Sequence, residues 1–163
     1  MDAAPTTPAI RPARDGDAQD LFGLLALCFA EYPGCYVDPH EDLADLRAPG
    51  SAFTDKGGAF FVVEDASGRA CACVAVDYPE EGGELHRLYV RPDQRRQGLG
   101  ERLIRLVEAH ARKRGAQKVF FWSDTRFAAA HRLYERLGYA RREGTRALGD
   151  VSGSVEARFE KAL

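Results

Sequence analysis

The stretch Glu84-Leu-His-Arg-Leu-Tyr-Val-Arg-Pro-Asp-Gln-Arg-Arg-Gln-Gly-Leu-Gly100 decides how this chain folds. It opens with a run of strand length, Glu84 to Val90, and Arg91-Pro92 closes that run. A basic loop with two glycines follows, and apolar residues then recur at helical spacing on one face, at Leu99, Leu103, Leu106, Val107 and Ala111. The pattern predicts a strand, a basic glycine loop and a helix that stops at Gly115. Such a loop presents unpaired backbone N–H groups at a helix N-terminus, which commonly bind phosphate.

The glycine spacing excludes two common phosphate-binding motifs. The dinucleotide fingerprint needs a third glycine, and Leu103 occupies that position. A P-loop needs Gly-Lys-Ser or Gly-Lys-Thr, and neither follows this loop. The loop is therefore expected to bind a different phosphate ligand.

The segment Arg95-Arg96-Gln97-Gly98-Leu99-Gly100 resembles the Arg/Gln-x-x-Gly-x-Gly/Ala signature of the GCN5-related N-acetyltransferases, the GNAT family. Leu88-Tyr89-Val90-Arg91-Pro92 is similar to the fourth strand of that family. The resemblance implies that backbone amides from Gln97 to Gly100 bind the pyrophosphate of acetyl-coenzyme A, the co-substrate of the family. It predicts cofactor contacts from the strand end, the loop and one later residue: Leu88, Tyr89, Val90, Arg95, Arg96, Gln97, Gly98, Leu99, Gly100 and Phe127.

A second motif, Ala130-His-Arg-Leu-Tyr-Glu-Arg-Leu-Gly-Tyr139, is similar to the Asn-x-x-Ala-x-x-Leu-Tyr-Glu-Lys-x-Gly-Phe helix of the same family. In the family, the tyrosine at the place of Tyr134 commonly protonates the leaving thiolate of coenzyme A. From the residues alone, Tyr134 would instead be a buried aromatic of the core. Phe127 stands where the family often has Asn, so the resemblance predicts an aromatic wall of the pantetheine channel there instead of a polar contact.

Acetyl transfer to an amine also needs a proton acceptor, because an amine with a pKa of about 10 is almost wholly protonated at neutral pH. Glu84 and His86 alternate onto one face of their strand. The family often has a carboxylate early on this strand as the base, which favours Glu84. His86 is the rival, since an unperturbed imidazole titrates near neutral pH. We predict Glu84 as the base and His86 as its assistant, with a solvated Glu84 and a core His86 as the alternative.

Three residues are candidates for binding the acceptor. The long segment through the 30s to the 50s, with Tyr32 and Tyr36, is predicted to form a lid over a small pocket. Arg126 follows a strand end, where it would bind a substrate carboxylate or take a capping or surface role. The predicted reaction is direct acetylation of a primary amine on a small molecule. Peptide N-terminal or lysine acetylation and a non-catalytic, regulatory coenzyme A-binding module are the alternatives.

Composition restricts the other partners. The formal net charge of −2 over 163 residues gives no general attraction to nucleic acid or to an anionic membrane. No apolar run approaches the ~18 residues of a membrane helix. The four cysteines, at 28, 35, 71 and 73, lack metal-ligand spacing, so we expect no metal, reduced thiols and a cytoplasmic protein. A homodimer is the oligomer considered, although no sequence feature requires it.

The whole pattern predicts one α/β (α+β) domain over residues 1–163, with residues 1–8 as a flexible tail. Strands are predicted at Ala9–Ala13, Ala59–Glu64, Ala70–Asp77, Glu84–Val90, Lys118–Ser123, from Tyr139 and at Val155–Lys161. Helices are predicted after Asp15-Gly-Asp17, near Pro39–Leu46, from Leu99 and after Asp124 or Thr125. This order is similar to that of the family, whose mixed, mostly antiparallel sheet of about seven strands with four helices is therefore expected.

Overall fold

The computed structural model describes residues 7–38 and 44–163. Within these ranges the chain forms the following helices and strands: β1 Ile10–Pro12, α1 Ala18–Phe29, β2 Ala59–Glu64, β3 Ala70–Asp77, β4 Gly83–Val90, α2 Leu99–Lys113, β5 Lys118–Asp124, α3 Ala128–Arg136, β6 Ala140–Ala147 and β7 Val155–Ala162. None of these helices is long and apolar enough to cross a bilayer.

The seven strands form one sheet in the order β1-β2-β3-β4-β5-β7-β6. Neighbouring strands are antiparallel except β4 and β5, which are parallel because the α2 crossover joins them. This mixed, mostly antiparallel sheet confirms the predicted fold class.

Helices cover both faces of the sheet. The apolar side of α2 packs on one face through Leu99, Leu103, Ile104, Val107 and Ala111, all of which are buried. This stripe matches the predicted one except that Ile104 is fully buried and Leu106 only half-buried. On the other face, α1 buries Leu21, Leu24, Leu25 and Cys28, and Phe29 packs half-buried against the same cluster. Both faces of β3 are therefore covered, which agrees with its nearly continuous burial.

The predicted fourth helix, near Pro39–Leu46, lies largely outside the described residues. Its described end, residues 44–47, forms turns. The structure therefore has three α-helices in its described part, where the sequence predicted four.

The N-terminal caps of two helices differ from the prediction. Asp17 stands at the cap position of α1, but its carboxylate accepts hydrogen bonds from the Arg11 guanidinium at 2.8 and 2.9 Å and makes no cap bond. Helix α3 has Phe127 at its cap position instead of Asp124 or Thr125. The reason is that the Asp124 carboxylate binds the Arg126 side chain, so the helix begins after that pair. Both errors come from ion pairs that compete with the helix terminus for the carboxylate.

Strands β4 and β5 separate soon after they meet. They pair only through Gly83 with Val119 and Glu84 with Phe120. Further along β4 the register with β3 shifts, and Arg87 adopts a left-handed φ of 53°. Such a bulge bends a strand and changes the direction of its side chains. Beyond Glu84, the β4 edge that would face β5 therefore borders a cleft.

Candidate active site

Two cavities open at the cleft between β4 and β5. The larger cavity, of about 570 Å³, lies among the end of β4, the loop before α2 and the first turns of α2 and α3. The smaller cavity, of about 160 Å³, lies among β4, β5 and the β6–β7 hairpin. Four residues line both: Leu88, Tyr89, Phe127 and Tyr134. The two cavities therefore meet at these four side chains.

The N-terminus of α2 opens into the larger cavity. Arg96 and Gly98 both have left-handed φ values, of 62° and 73°, and they turn the chain into the helix. The first N–H groups of such a helix have no carbonyl partner within it. A Cβ at Gly98 would meet nothing within 4 Å, so the loop is open on that side. A Cβ at Gly100 would lie 3.1 Å from Leu133 Cδ2, so this glycine allows α2 to approach α3 closely.

Arginine dominates the charge of the larger cavity. Its basic lining residues are Arg95, Arg96, Arg132 and Arg136, and its one acidic lining residue in the described chain is Glu101. Arg95 also binds Glu31 at 2.6 and 2.8 Å, so part of its charge is already neutralised. The predicted Gln97 is exposed and its side chain does not line the cavity. The net positive charge and the helix N-terminus together suit an anionic ligand.

The other end of the larger cavity is apolar. Its wall includes Leu88, Val90, Leu99, Phe127, Ala129, Ala130 and Leu133. The Phe127 ring, predicted to wall a channel, packs on Tyr32 with ring centroids 4.7 Å apart. Tyr32 was predicted to contact the acceptor, but it lines the larger cavity and not the smaller one.

Tyr134 lies where the two cavities join. Its ring packs between Phe121 and Phe159, at centroid distances of 4.6 and 5.3 Å. Burial raises the pKa of Tyr134 to about 12, and a hydrogen bond with Ser123 partly opposes this rise. The side chain is therefore both a buried aromatic of the core and a neutral hydroxyl beside the cavities, so the two readings of its sequence position are compatible.

His131 contacts Ser123, the residue that hydrogen-bonds the Tyr134 hydroxyl. It is buried, and its Nε2 lies 3.1 Å from Ser123 Oγ. Burial lowers the pKa of His131, so its imidazole is neutral at neutral pH. His131 thus belongs to a buried polar chain, Tyr134–Ser123–His131. The sequence signal for Ser123 was weak, namely one hydroxyl in the otherwise apolar strand Val119-Phe-Phe-Trp-Ser123.

His86, and not Glu84, lines the smaller cavity. Its Nε2 lies 2.9 Å from Asp77 Oδ1 and 3.8 Å from Glu84 Oε2. Burial raises the pKa of Glu84. At Asp77 burial is the largest effect and acts in the same direction, but the hydrogen bond and charge of His86, together with the charge of Lys56, lower the pKa of that carboxyl overall. Asp77 was missed from sequence; the antiparallel pairing of β3 and β4 places it directly opposite Glu84. The arrangement is an imidazole at the cavity wall with a carboxylate partner.

Arg126 and Tyr36, both predicted to bind the acceptor, line neither cavity. The Arg126 guanidinium binds Asp124 at 2.9 and 2.7 Å, because the two side chains lie on either side of the turn that leaves β5. Asp124 lines the smaller cavity instead. Tyr36 is exposed, and its backbone exchanges two hydrogen bonds with the Ser152 hydroxyl in the β6–β7 hairpin, at 2.7 and 2.9 Å.

The sheet splits beside a glycine loop, and a tyrosine lies where the two cavities meet, in agreement with the resemblance noted from the sequence. The sequence model of the acetyltransferase (GNAT) family matches residues 19–139. The chain therefore belongs to the GNAT family.

Two relatives show how far the similarity extends. The mycothiol acetyltransferase of Thermobispora bispora is 34% identical over 140 residues, which cover 80% of this chain and 44% of that protein. The L-methionine sulfoximine/L-methionine sulfone acetyltransferase of Pseudomonas paraeruginosa is 31% identical over 134 residues, which cover 77% of this chain and 78% of that protein. The chain spans less than half the length of two of the curated relatives that it matches.

Solved structures share the fold. An acetyltransferase of the GNAT family from Staphylococcus aureus superposes with a TM-score of 0.81 at 12% identity, over 96% of this chain and 99% of that one. A phosphinothricin acetyltransferase from Sinorhizobium meliloti, in complex with acetyl-CoA, superposes with a TM-score of 0.75 at 16% identity, over 97% and 89% of the two chains. At these identities the likeness concerns the fold alone.

Proposed function

We propose that the protein transfers an acetyl group from acetyl-coenzyme A directly to a primary amine of a small molecule. The observation that carries this proposal is the meeting of two chemically different cavities at Tyr134. One cavity is basic at one end and apolar at the other, and the second is small and polar. A direct transfer needs both substrates at one point, and these cavities provide such a point.

The residues of the larger cavity suit acetyl-coenzyme A. The α2 N-terminus with Arg96 would hold the pyrophosphate, and the wall beside Phe127 and Leu133 would hold the pantetheine arm. The open space beyond Gly98 supports this assignment, because backbone amides can approach an anion there without a side chain between them. Acetyl-CoA supplies an activated acetyl group and a sulfur that takes up a proton as it departs.

His86 is the base that the geometry favours. Asp77 accepts a hydrogen bond from Nε2–H, which leaves Nδ1 as the basic nitrogen of the neutral ring. His86 lines the smaller cavity and Glu84 does not, so in this proposal the imidazole accepts the ammonium proton there. Glu84, 3.8 Å from Nε2, then stabilises the imidazolium that results. In this proposal His86 is the base and Glu84 its assistant, the reverse of the roles that the sequence suggested.

Tyr134 holds the proton that the departing sulfur needs. Its hydroxyl stays protonated because its pKa is about 12. Ser123 orients this hydroxyl, and His131 orients Ser123. Beyond Glu84, β4 no longer pairs with β5, and N–H groups on that edge of the strand would polarise an acyl oxygen.

The size of the smaller cavity supports a small acceptor over a peptide. The segment 30–38 is fastened to the β6–β7 hairpin by the Tyr36–Ser152 hydrogen bonds, and Cys35 and Leu148 line the cavity from these two segments. A peptide would need an open groove at this place. All four cysteines are buried free thiols, which supports the proposal of a reducing, cytoplasmic setting.

A thiol-release assay tests the proposal. The full chain is mixed with acetyl-CoA and one acceptor at a time, and free thiol is followed over time. The acceptors are primary amines, amino acids and lysine-containing peptides. We expect release with at least one small amine and none with the peptides. Coenzyme A binding by calorimetry without thiol release for any acceptor would contradict the enzyme and favour a binding module.

A further inference from the structure

Exposed apolar residues occur in the two segments that line the smaller cavity, each one either a lining residue or the chain neighbour of one. In the described chain, five large apolar residues are exposed, and four of them belong to two neighbouring segments: Tyr36, Leu148, Val151 and Val155. Leu148 lines the cavity itself, and the Ser152 hydrogen bonds hold Tyr36 beside the hairpin. We name these four residues the apolar rim. Apolar side chains grouped beside a cavity indicate an apolar ligand surface.

The inner wall of the smaller cavity has the opposite character. Its carboxylates are Asp124, Asp150 and Glu156. Each arginine near this wall already binds a carboxylate: Arg87 binds Asp45, Arg126 binds Asp124, and Arg146 binds Glu156 at 2.7 Å.

These pairs leave an excess of negative charge. Asp150 binds only the neutral backbone and hydroxyl of Ser154 among the hydrogen bonds described. Glu84 and Asp77 add two further carboxylates behind His86. A cationic amine is attracted into such a cavity, whereas a substrate carboxylate would meet like charge and arginines that already have partners.

We propose that the acceptor is an amphipathic amine: a primary ammonium group joined to an apolar body, without a carboxylate beside the nitrogen. The ammonium group enters toward His86 and Asp150, and the apolar body lies against the rim. This inference rests on the proposed acetyl transfer and narrows its substrate class. It also separates this chain from an enzyme for amino acids, the class that the Arg126 prediction implied.

Three probes test the two halves of the inference. 2-Phenylethylamine and L-phenylalanine differ only by the carboxylate, and ethylamine lacks the ring. We expect kcat/KM for 2-phenylethylamine to exceed that of each of the others by about tenfold or more. Equal or better use of L-phenylalanine would overturn the electrostatic half, and equal use of ethylamine would overturn the apolar half.

A matched pair of variants locates the effect. Leu148 is 48% exposed on the rim, and Leu27 is 52% exposed on α1 and lines neither cavity. We expect Leu148→Ser to lower the ratio of kcat/KM for 2-phenylethylamine to kcat/KM for ethylamine about tenfold, and Leu27→Ser to leave this ratio unchanged. A change of oligomeric mass in Leu148→Ser with unchanged specificity would overturn the inference, since the rim would then be an interface between copies.

The outcomes separate the two proposals. Thiol release with other amines but not with 2-phenylethylamine would refute the acceptor class and leave acetyl transfer standing. No thiol release with any amine would refute both.

Discussion

Replacement of Tyr134 by Phe removes one hydroxyl and little else. The ring contacts with Phe121 and Phe159, at 4.6 and 5.3 Å, remain, so the fold should survive. The lost hydrogen bond to Ser123 should cost about 1 kcal/mol of unfolding free energy. Turnover should fall more, because the departing sulfur would lose its proton donor.

The size of this effect follows from the acidity of the hydroxyl. General acid catalysis contributes about 10²–10⁴-fold. With a pKa of about 12, Tyr134 is a weaker acid than a thiol, whose pKa is about 8.5. Proton transfer to a free thiolate is therefore uphill, which places the expected loss in kcat at or below the lower end of this range, at about 10–100-fold.

Tyr139 provides the matched control. It is a second buried tyrosine of the same aromatic cluster, 5.0 Å from Phe121, but its hydroxyl donates to Glu108 and it lines neither cavity. Tyr139→Phe should lose similar stability and keep its turnover. Steady-state thiol release, chemical denaturation and coenzyme A calorimetry would measure the three quantities. Full turnover in Tyr134→Phe, or an equal loss in both variants, would refute the role of Tyr134 as the proton donor.

Three further changes test other parts of the site. His86→Ala should lower kcat/KM most at neutral pH and recover partly at high pH, where more of the amine (pKa about 10) is already deprotonated; pH–rate profiles in which Glu84→Gln is the weaker variant would reverse the assignment made here. Gly98→Asp should abolish coenzyme A binding in calorimetry, whereas Gly68→Asp, at another left-handed glycine with open space around it, should bind normally despite comparable backbone strain. Ser123→Ala removes the hydrogen bond that lowers the pKa of Tyr134, so this pKa should rise further. We expect kcat to fall about three- to tenfold with KM little changed. An unchanged kcat would show that Ser123 does not position the Tyr134 hydroxyl.

Local patterns were sufficient to predict most of the fold. Strands β2 and β3 have the predicted bounds, Ala59–Glu64 and Ala70–Asp77, because apolar residues and turn signals are contiguous in the sequence. The helix caps failed where a carboxylate had a stronger partner. The Arg11 partner of Asp17 comes from a neighbouring strand, and no local pattern contains that information.

The site was predictable in position but not in every role. Tyr134 and the glycine loop lie at the cavities because their motifs depend on spacing within one element. The choice between Glu84 and His86 depends on where β4 separates from β5, which a sequence of alternating residues does not reveal. Arg126 was assigned to the acceptor because it follows a strand end, whereas in the structure its guanidinium pairs with Asp124.

The short contact between β4 and β5 has a mechanical consequence. Two residue pairs join the β1–β4 half of the sheet to the β5–β7 half within the sheet itself. A ligand bound in the cleft would contact both halves of the sheet and link them to each other. Ligand at 100 times its Kd would add about 2.7 kcal/mol to the free energy of unfolding. Hydrogen exchange should then slow most along the facing edges of β4 and β5, so that the sheet reaches its full rigidity only when the cofactor completes it.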